Sequence, residues 1–326
     1  MAFSQSILVT GPIETSKFEQ VIQMIAPQSS LLRTWSLKGG ISAKMTALEI
    51  EYPDGKTTRM ILRQPSEQTF KRNPHAAEYE FKTLQLTQSL GLVTPAPYYL
   101  DQSCTIFSKP YVVIEYIDGK PEFAPASEAN FIFQFAEHLA RIHSADYSNY
   151  NPSFLPRQGS ECVELSREPP ANIDLVPDDR RIRDRLDAVV PLPQRNASVL
   201  LHGDYWPGNI LWRDDLLVAV IDWEDAAIGD PLIDFAISRL DILTIFGIEA
   251  MQSFTHHYQS RMDIDYINLP FWDLCAALRL ARLIGLNLAE WTAFFIPFGR
   301  HDITEQLLRD RFRFFITHAF EKLAIR

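Results

Sequence analysis

Cysteine is scarce. The 326-residue chain has three, Cys104, Cys162 and Cys275, far apart and without a C-x-x-C. That spacing predicts neither a disulfide framework nor a zinc site, and it points to a reducing compartment. No apolar run approaches the roughly 18 residues that cross a bilayer. Met1 to Gln20 mixes Ser, Glu and Lys with short apolar pieces and lacks a basic segment ahead of an apolar core, so it does not read as a secretory signal. A cytoplasmic protein with no membrane partner is the expectation. Positive charge is short as well: 31 Lys plus Arg face 41 Asp plus Glu, a net charge of −10. Nucleic-acid binding, which needs clustered positive charge, is therefore not expected. Internal repeats and low-complexity tracts are absent. A hydrophobic share of 46% with 22% charged residues excludes the disordered and collagen-like classes.

What is present is a change of pattern part-way along a chain long enough for about two domains. Phe18, Val21, Ile22 and Ile25 recur at helical spacing before Pro27. Three short β-type runs follow: Leu31 to Leu37, Met45 to Tyr52 and Thr57 to Gln64. Gly39-Gly40 separates the first two, and Pro53-Asp54-Gly55 the next two, so hairpins are predicted. Pro74 opens a helical stretch to Leu90, and Tyr111 to Ile117 reads as a buried strand. Beyond it, Phe131, Phe135, Leu139 and Ile142 mark an amphipathic helix. Asn151 to Arg195 is rich in loops, with a charged helical face at Arg180 to Arg185, and Val199 to Ile221 holds short strands. Helices are predicted over Leu232 to Phe246, Ile248 to Met262, Pro270 to Leu288 and Ile303 to Leu323, the last with an Asp302/Glu305 capping box. The reading is α+β: a β-rich N-terminal lobe over residues 1–117 and a mainly helical C-terminal lobe over 118–326.

The informative stretch is L-H-G-D-Y-W-P-G-N-I-L-W at 201–212, followed by V-I-D-W-E-D at 220–225. His202, Asp204 and Asn209 fit H-x-D-x-x-x-x-N, the spacing of a phosphoryl-transfer loop in which the Asp takes the acceptor hydroxyl's proton and the Asn holds a metal. Two apolar runs, Ile210 to Trp212 and Leu216 to Ile221, flank Arg213-Asp214-Asp215. As a hairpin they return Asp222 to the end from which Asn209 departs. Phosphoryl transfer has use for that set. Mg²⁺ takes one or two protein oxygens beside phosphate and water, so Asn209 and Asp222 suffice. A separate carboxylate, Asp204, orients the hydroxyl in line with the phosphorus. His202 braces the loop rather than acting as base.

These residues, with Gly203 and then Gly229, Asp230, Pro231 and Asp234, resemble the aminoglycoside phosphotransferase and choline kinase-like family, the small-molecule branch of the protein kinase-like fold. The resemblance covers roughly Leu32 to Leu240. It implies ATP- and Mg²⁺-dependent phosphorylation of a small hydroxylated molecule, with Asp230 and Asp234 as structural support. It also implies a nucleotide clamp in the N-terminal lobe. Gly39, Gly40 and Ser42 would approach the phosphates, although a plain hairpin turn uses the same residues. Arg63 stands where kinases carry a phosphate-gripping Lys, and its acidic partner is Glu80, with Glu78 the alternative. The Glu115 carbonyl and Ile117 amide would bind the adenine edge, with Ile114 and Ile221 flanking the base.

Other readings stay open. The aromatic-rich C-terminal third, with Trp272, Trp291 and Phe294 among its rings, packs a core or walls a site for a cationic amine. Glu224 and Asp225 contact a charged substrate or are plain loop acids. The competing function is a non-catalytic nucleotide-binding regulator, against which the full set of Asp204, Asn209 and Asp222 argues. A protein kinase is disfavoured by G-D for R-D, I-D-W-E for D-F-G, and only four residues between that segment and Gly229. The acceptor (aminoglycoside-, choline-, homoserine- or sugar-like), the choice of ATP over GTP and the oligomeric state are not legible.

Overall fold

A computed structural model describes residues 12–37, 42–158, 179–189, 191–284 and 287–324. The chain divides into two units: residues 1–120 with 218–224, and residues 121–217 with 225–326. The second visit to the first unit, by residues 218–224, has no counterpart in a simple division at residue 117.

In the first unit, α1 (Pro12–Ile25) precedes strands β1 (Ser30–Leu37), β2 (Ala43–Glu51) and β3 (Thr57–Pro65). The short helix α2 (Glu67–Arg72) and the helix α3 (Ala76–Ser89) follow, then β4 (Pro97–Asp101) and β5 (Tyr111–Glu115). The five strands form one sheet in the order β1-β2-β3-β5-β4, with every neighbouring pair antiparallel. Phe18, Val21 and Ile22 of α1 pack on Leu48, Ile50, Met60, Leu62 and Val113. Strand side chains alternate between faces, so Met60 and Leu62 turn to α1 and Arg63 turns away from it. Late in the chain, the Val220 amide donates to the Val93 carbonyl at 2.8 Å, and buried Trp223 donates from Nε1 to the Val220 carbonyl.

Three features of this unit differ from the sequence reading. Helix α2 was not foreseen; Ser66 caps it by accepting from the Thr69 amide at 3.2 Å. Strand β4 begins at a proline, which an edge strand tolerates. The strand expected to reach Ile117 ends at Glu115.

The second unit holds α4 (Glu128–His143), α5 (Asp179–Asp187), the antiparallel pair β6 (Val199–Leu201) and β9 (Ala227–Gly229), and helices α6 (Leu232–Phe246), α7 (Ile248–Gln259), α8 (Leu269–Ile284), α9 (Leu288–Phe294) and α10 (Glu305–Ala324). Helix α6 is buried nearly all round, the mark of a central helix. Its Arg239 donates from one nitrogen to both oxygens of Asp273 on α8, at 2.9 and 2.8 Å, with both residues buried. Charges this deep persist because each answers the other. On α5 the arginines surround buried Ile182 and Leu186, so the charged stretch is one face of an amphipathic helix. The aromatic third is chiefly core: Phe271, Trp272, Phe295, Phe312 and Phe315 are buried.

Strands β7 (Ile210–Arg213) and β8 (Leu216–Val220) form a two-stranded sheet. Asp214 and Asp215 both take positive φ, at 51° and 60°, the two-residue turn whose twist suits a hairpin. The β-rich then helical order expected from sequence is the one observed. Three details are corrected. The long helix expected over Pro270 to Leu288 is two, because Asn287 opens α9 by accepting from the Glu290 amide at 3.0 Å. The cap of α10 is Thr304, which accepts from the Leu307 amide, while Asp302 pairs with Arg300. Cys275 is disulfide-bonded, against the expectation of reduced thiols, whereas Cys104 is free and exposed. Among the described residues, no helix is long and apolar enough to cross a membrane.

Candidate active site

In the first unit the site is organised by a buried arginine. Register pairs Arg63 with Met45 across β2 and β3, and its side chain leaves the sheet on the face opposite α1. Helix α3 brings Glu80 to it: Nη1 lies 3.2 Å from the Glu80 carboxylate. Nη2 donates to Asp222 at 2.6 Å and, more distantly, to Glu224 and Ser42 Oγ, both at 3.4 Å. Glu78, the alternative partner, is occupied by Lys82 at 2.6 Å. Asp222 holds a left-handed backbone, φ 66°, a conformation that Asp tolerates better than most residues. A cleft lined by Ser42, Arg63, Thr69, Arg72 and Glu80 opens beside this cluster. Gly39 and Gly40 lie outside the described residues.

One arginine faces three carboxylates here. Burial disfavours its charge, but Glu80, Asp222 and Glu224 outweigh burial and hold it protonated more firmly than usual. Glu80 responds the other way. Burial first, then the charges of Asp222 and Glu224, push its carboxyl up to about 7, against the pull of Arg63. The folded protein thus keeps this proton better than the unfolded chain, whose carboxyl titrates near 4.5. The resulting stabilisation is complete below the unfolded value and is lost as pH rises through the folded one. Glu80→Gln is expected to flatten the decline of Tm between about pH 5 and 7. An unaltered slope in scanning calorimetry would contradict this.

The second unit carries the loop 201–209. Asp234, fully buried on α6, accepts from the His202 amide at 2.6 Å and the Gly203 amide at 2.9 Å. Its outer oxygen also meets His143 Nε2 at 3.4 Å, and His143 Nδ1 is 2.6 Å from the Tyr258 hydroxyl. These bonds, with the charges of His143 and His202, outweigh burial and keep the Asp234 carboxyl below the ordinary range. Asp230 accepts from the Leu232 amide at 3.0 Å and so starts α6. The buried His202 ring braces the loop by accepting, at Nδ1, from the Asp204 amide at 3.2 Å. Gly203 has φ 83° and lies against the Asp225 backbone. The Trp206 indole lies across Gly208, where a Cβ would come within 2.6 Å of its Cε2.

Both oxygens of Asp204 are held. Asn209 Nδ2 donates to Oδ2 at 3.0 Å and to the Asp204 carbonyl at 3.0 Å. Arg279 of α8 donates from Nη2 to Oδ1 at 2.8 Å and to the Gly203 carbonyl at 3.2 Å. Because Asn209 spends its nitrogen on Asp204, its amide oxygen is the end left to meet a cation. Asp222 offers a partly exposed carboxylate. An amide oxygen and a carboxylate oxygen are each hard donors of the kind Mg²⁺ accepts, so each residue by itself has the chemistry of a Mg²⁺ ligand. Beside the loop, Trp206, Trp291 and Phe294 cluster at 5.8 to 6.0 Å between ring centres, with Trp291 and Phe294 stacked.

Residues 40–270 match the model of the phosphotransferase enzyme family. The chain belongs to that family. It is similar to the mouse protein acyl-CoA dehydrogenase family member 10, 23% identical over 253 residues, which are 73% of this chain but 23% of that relative. The chain therefore spans about a quarter of that relative's length. Among solved structures it resembles aminoglycoside 2'-phosphotransferase-IIIa in its GDP complex, with TM-score 0.60 and 16% identity over 92% of this chain and 98% of that one. It also resembles macrolide 2'-phosphotransferase MphH from Brachybacterium faecium, with TM-score 0.56 and 16% identity over 91% and 97%. The kinase-like fold that the resemblance implied is thus the observed one.

The structure brings Arg63, Glu80 and Asp222 together in one unit, and His202, Asp204 and Asn209 in the other. Glu115 ends β5 with its side chain accepting from the Ala96 amide at 3.1 Å, and Ile117 follows outside the strand. Glu224, left open between substrate contact and loop acid, faces Arg63. Sequence reasoning missed Arg279 and Asp241. Their signal was a charged residue inside otherwise apolar helical runs, L-C-A-A-L-R-L-A and A-I-S-R-L-D-I-L.

Proposed function

We propose that the protein transfers the γ-phosphoryl group of ATP to a hydroxyl of a small molecule. The carrying observation is Asp204: a half-exposed carboxylate whose two oxygens are fixed by Arg279 and Asn209, on a loop whose backbone Asp234 anchors. In this reading the acceptor hydroxyl donates its hydrogen to Asp204. The hydroxyl oxygen bonds to the γ-phosphorus as the β,γ-bridging P–O bond breaks. The bond's electron pair leaves on ADP, and the hydroxyl proton passes to the carboxylate. Arg63 holds phosphate oxygens beside Ser42, and the resemblance adds Gly39 and Gly40 to the phosphate loop. The Glu115 carbonyl and Ile117 amide would meet the adenine edge. Asn209 and Asp222 would hold Mg²⁺, which their hard oxygen donors support. When bound, Mg²⁺ neutralises charge on the phosphates. The GDP carried by the aminoglycoside 2'-phosphotransferase supports a nucleotide site of this kind.

The test is ADP release from Mg-ATP over a panel of amino alcohols, homoserine, sugars, aminoglycosides and macrolides. Acceptor-dependent release is expected with at least one class. ATP binding without release from any of them would favour a nucleotide-binding regulator. Asp222→Ala is expected to weaken Mg-ATP binding roughly tenfold or more, about 1.4 kcal/mol, while binding of metal-free ATP changes little. Isothermal titration with and without Mg²⁺ checks it, and an unchanged Mg²⁺ effect would count against Asp222 as a ligand.

A further inference from the structure

Arg279 stands on α8, a helix whose neighbouring positions Leu274 to Leu278, Leu280 and Ala281 are buried and apolar. Nothing in the packing of that helix calls for a guanidinium. Its Nη2 reaches the Gly203 carbonyl at 3.2 Å and Asp204 Oδ1 at 2.8 Å, so it holds the loop backbone and the carboxylate together. Two further carboxyls bear on it, Asp241 of α6 and Asp225. Asp241 is 5% exposed. Burial and the charge of Asp204 push its carboxyl well above the ordinary range, against the pull of Arg279. The hydrogen bonds of Arg279 go to the Asp204 loop.

We propose that Arg279 is a positioning residue for phosphoryl transfer: it pins Oδ1 of Asp204 while Asn209 pins Oδ2, so the carboxylate cannot rotate away from the acceptor hydroxyl. The proposal rests on the role given to Asp204 above. A carboxylate held on one side only has a free torsion. A displacement of about 1 Å at a reacting group can cost on the order of 100-fold in rate. A single nitrogen, Nη2, serves both the carbonyl and the carboxylate, and the guanidinium that carries it stays charged at any working pH.

The test is ADP release from Mg-ATP by the full chain, with water as acceptor and with any acceptor from the panel above. Arg279→Ala is expected to lower kcat roughly 100-fold while KM for ATP stays within about twofold. Arg279 is 22% exposed in its side chain, so the space it vacates is open to solvent. Guanidinium ion at millimolar concentration is therefore expected to restore about tenfold of the lost kcat in Arg279→Ala. Methylammonium is expected to restore less, and Arg279→Lys to be intermediate. A kcat near wild type in either variant would overturn the proposal. So would a loss that tracks a lowered Tm and that guanidinium does not relieve, since that pattern belongs to a scaffold residue. If Arg279→Ala does not fold, a kcat in Arg279→Lys within twofold of wild type overturns it and a larger loss at unchanged KM for ATP supports it. Absence of ADP release by the wild-type chain with every acceptor would instead sink the phosphotransferase reading, and this proposal with it.

Discussion

Asp204→Asn is expected to abolish turnover, by a factor on the order of 10²–10⁴, and to leave ATP binding nearly unchanged. The substitution preserves shape but removes the charge that draws the hydroxyl proton. The amide also presents a donor where the carboxylate presented only acceptors. It faces Arg279 at one end and Asn209 Nδ2 at the other, both of them donors. One of its ends must therefore oppose a like group, and the side chain loses its fixed orientation as well as its basicity. Arg63 keeps its pairing with Glu80 and Asp222 within the first unit, so the proposed phosphate clamp is left intact. Steady-state ADP release and nucleotide titration separate the two effects. A variant with ordinary turnover would remove Asp204 from the role of base, while one that lost ATP binding would make it part of the nucleotide site.

Gly203→Ala is expected to destabilise the protein by on the order of 3–5 kcal/mol, among the larger effects of a single substitution. Two causes add. The backbone is left-handed there, which costs a Cβ-bearing residue about 1–2 kcal/mol. The new Cβ would also stand 2.7 Å from the Asp225 carbonyl carbon and closer still to its oxygen, and backbone cannot step aside as a flexible side chain can. At roughly 2–4 °C per kcal/mol, Tm should fall by about 10 °C. Gly55→Ala is the control: its φ of 80° nearly equals the 83° of Gly203, but nothing lies within 4 Å of the added carbon. It should show the dihedral cost alone. Equal losses in the two variants would mean that the close approach to Asp225 matters little. The same geometry explains why this loop reads H-G-D where protein kinases carry an arginine.

The parts of the site that lie close in sequence were legible because spacing constrains them. His202, Asp204 and Asn209 share one loop, and the turn Arg213-Asp214-Asp215 announced the hairpin that leads to Asp222. Arg63 and Glu80 were legible for another reason: the kinase-like resemblance puts a phosphate-gripping cation on the third strand, that cation needs an acid from the next helix, and Glu80 and Glu78 were the candidates. Arg279 was not legible, although it touches the same carboxylate as Asn209. It lies on a helix seventy-five residues away from Asp204 in sequence, and no local pattern records which helix packs beside which loop. The left-handed backbone of Asp222 was hidden likewise, because Asp adopts that conformation without a glycine to mark it. Helix α2 escaped notice for a plainer reason. Its six residues are too few for a periodic stripe, and none of them is buried. The disulfide at Cys275 shows the converse, since three distant cysteines carry no information about which strands of chain meet.

The first unit is discontinuous, and this has a consequence for how the protein is made. Residues 1–120 emerge from the ribosome with α1 and the whole five-stranded sheet, but without the segment 218–224. At roughly 5–20 residues per second, on the order of 5–20 s pass while 121–217 is synthesised. During that interval Val93 awaits the amide of Val220, and Arg63 has Glu80 but not its shortest partner, Asp222. Translation order alone therefore delays assembly of the arginine cluster until residues 121–217 have already been synthesised.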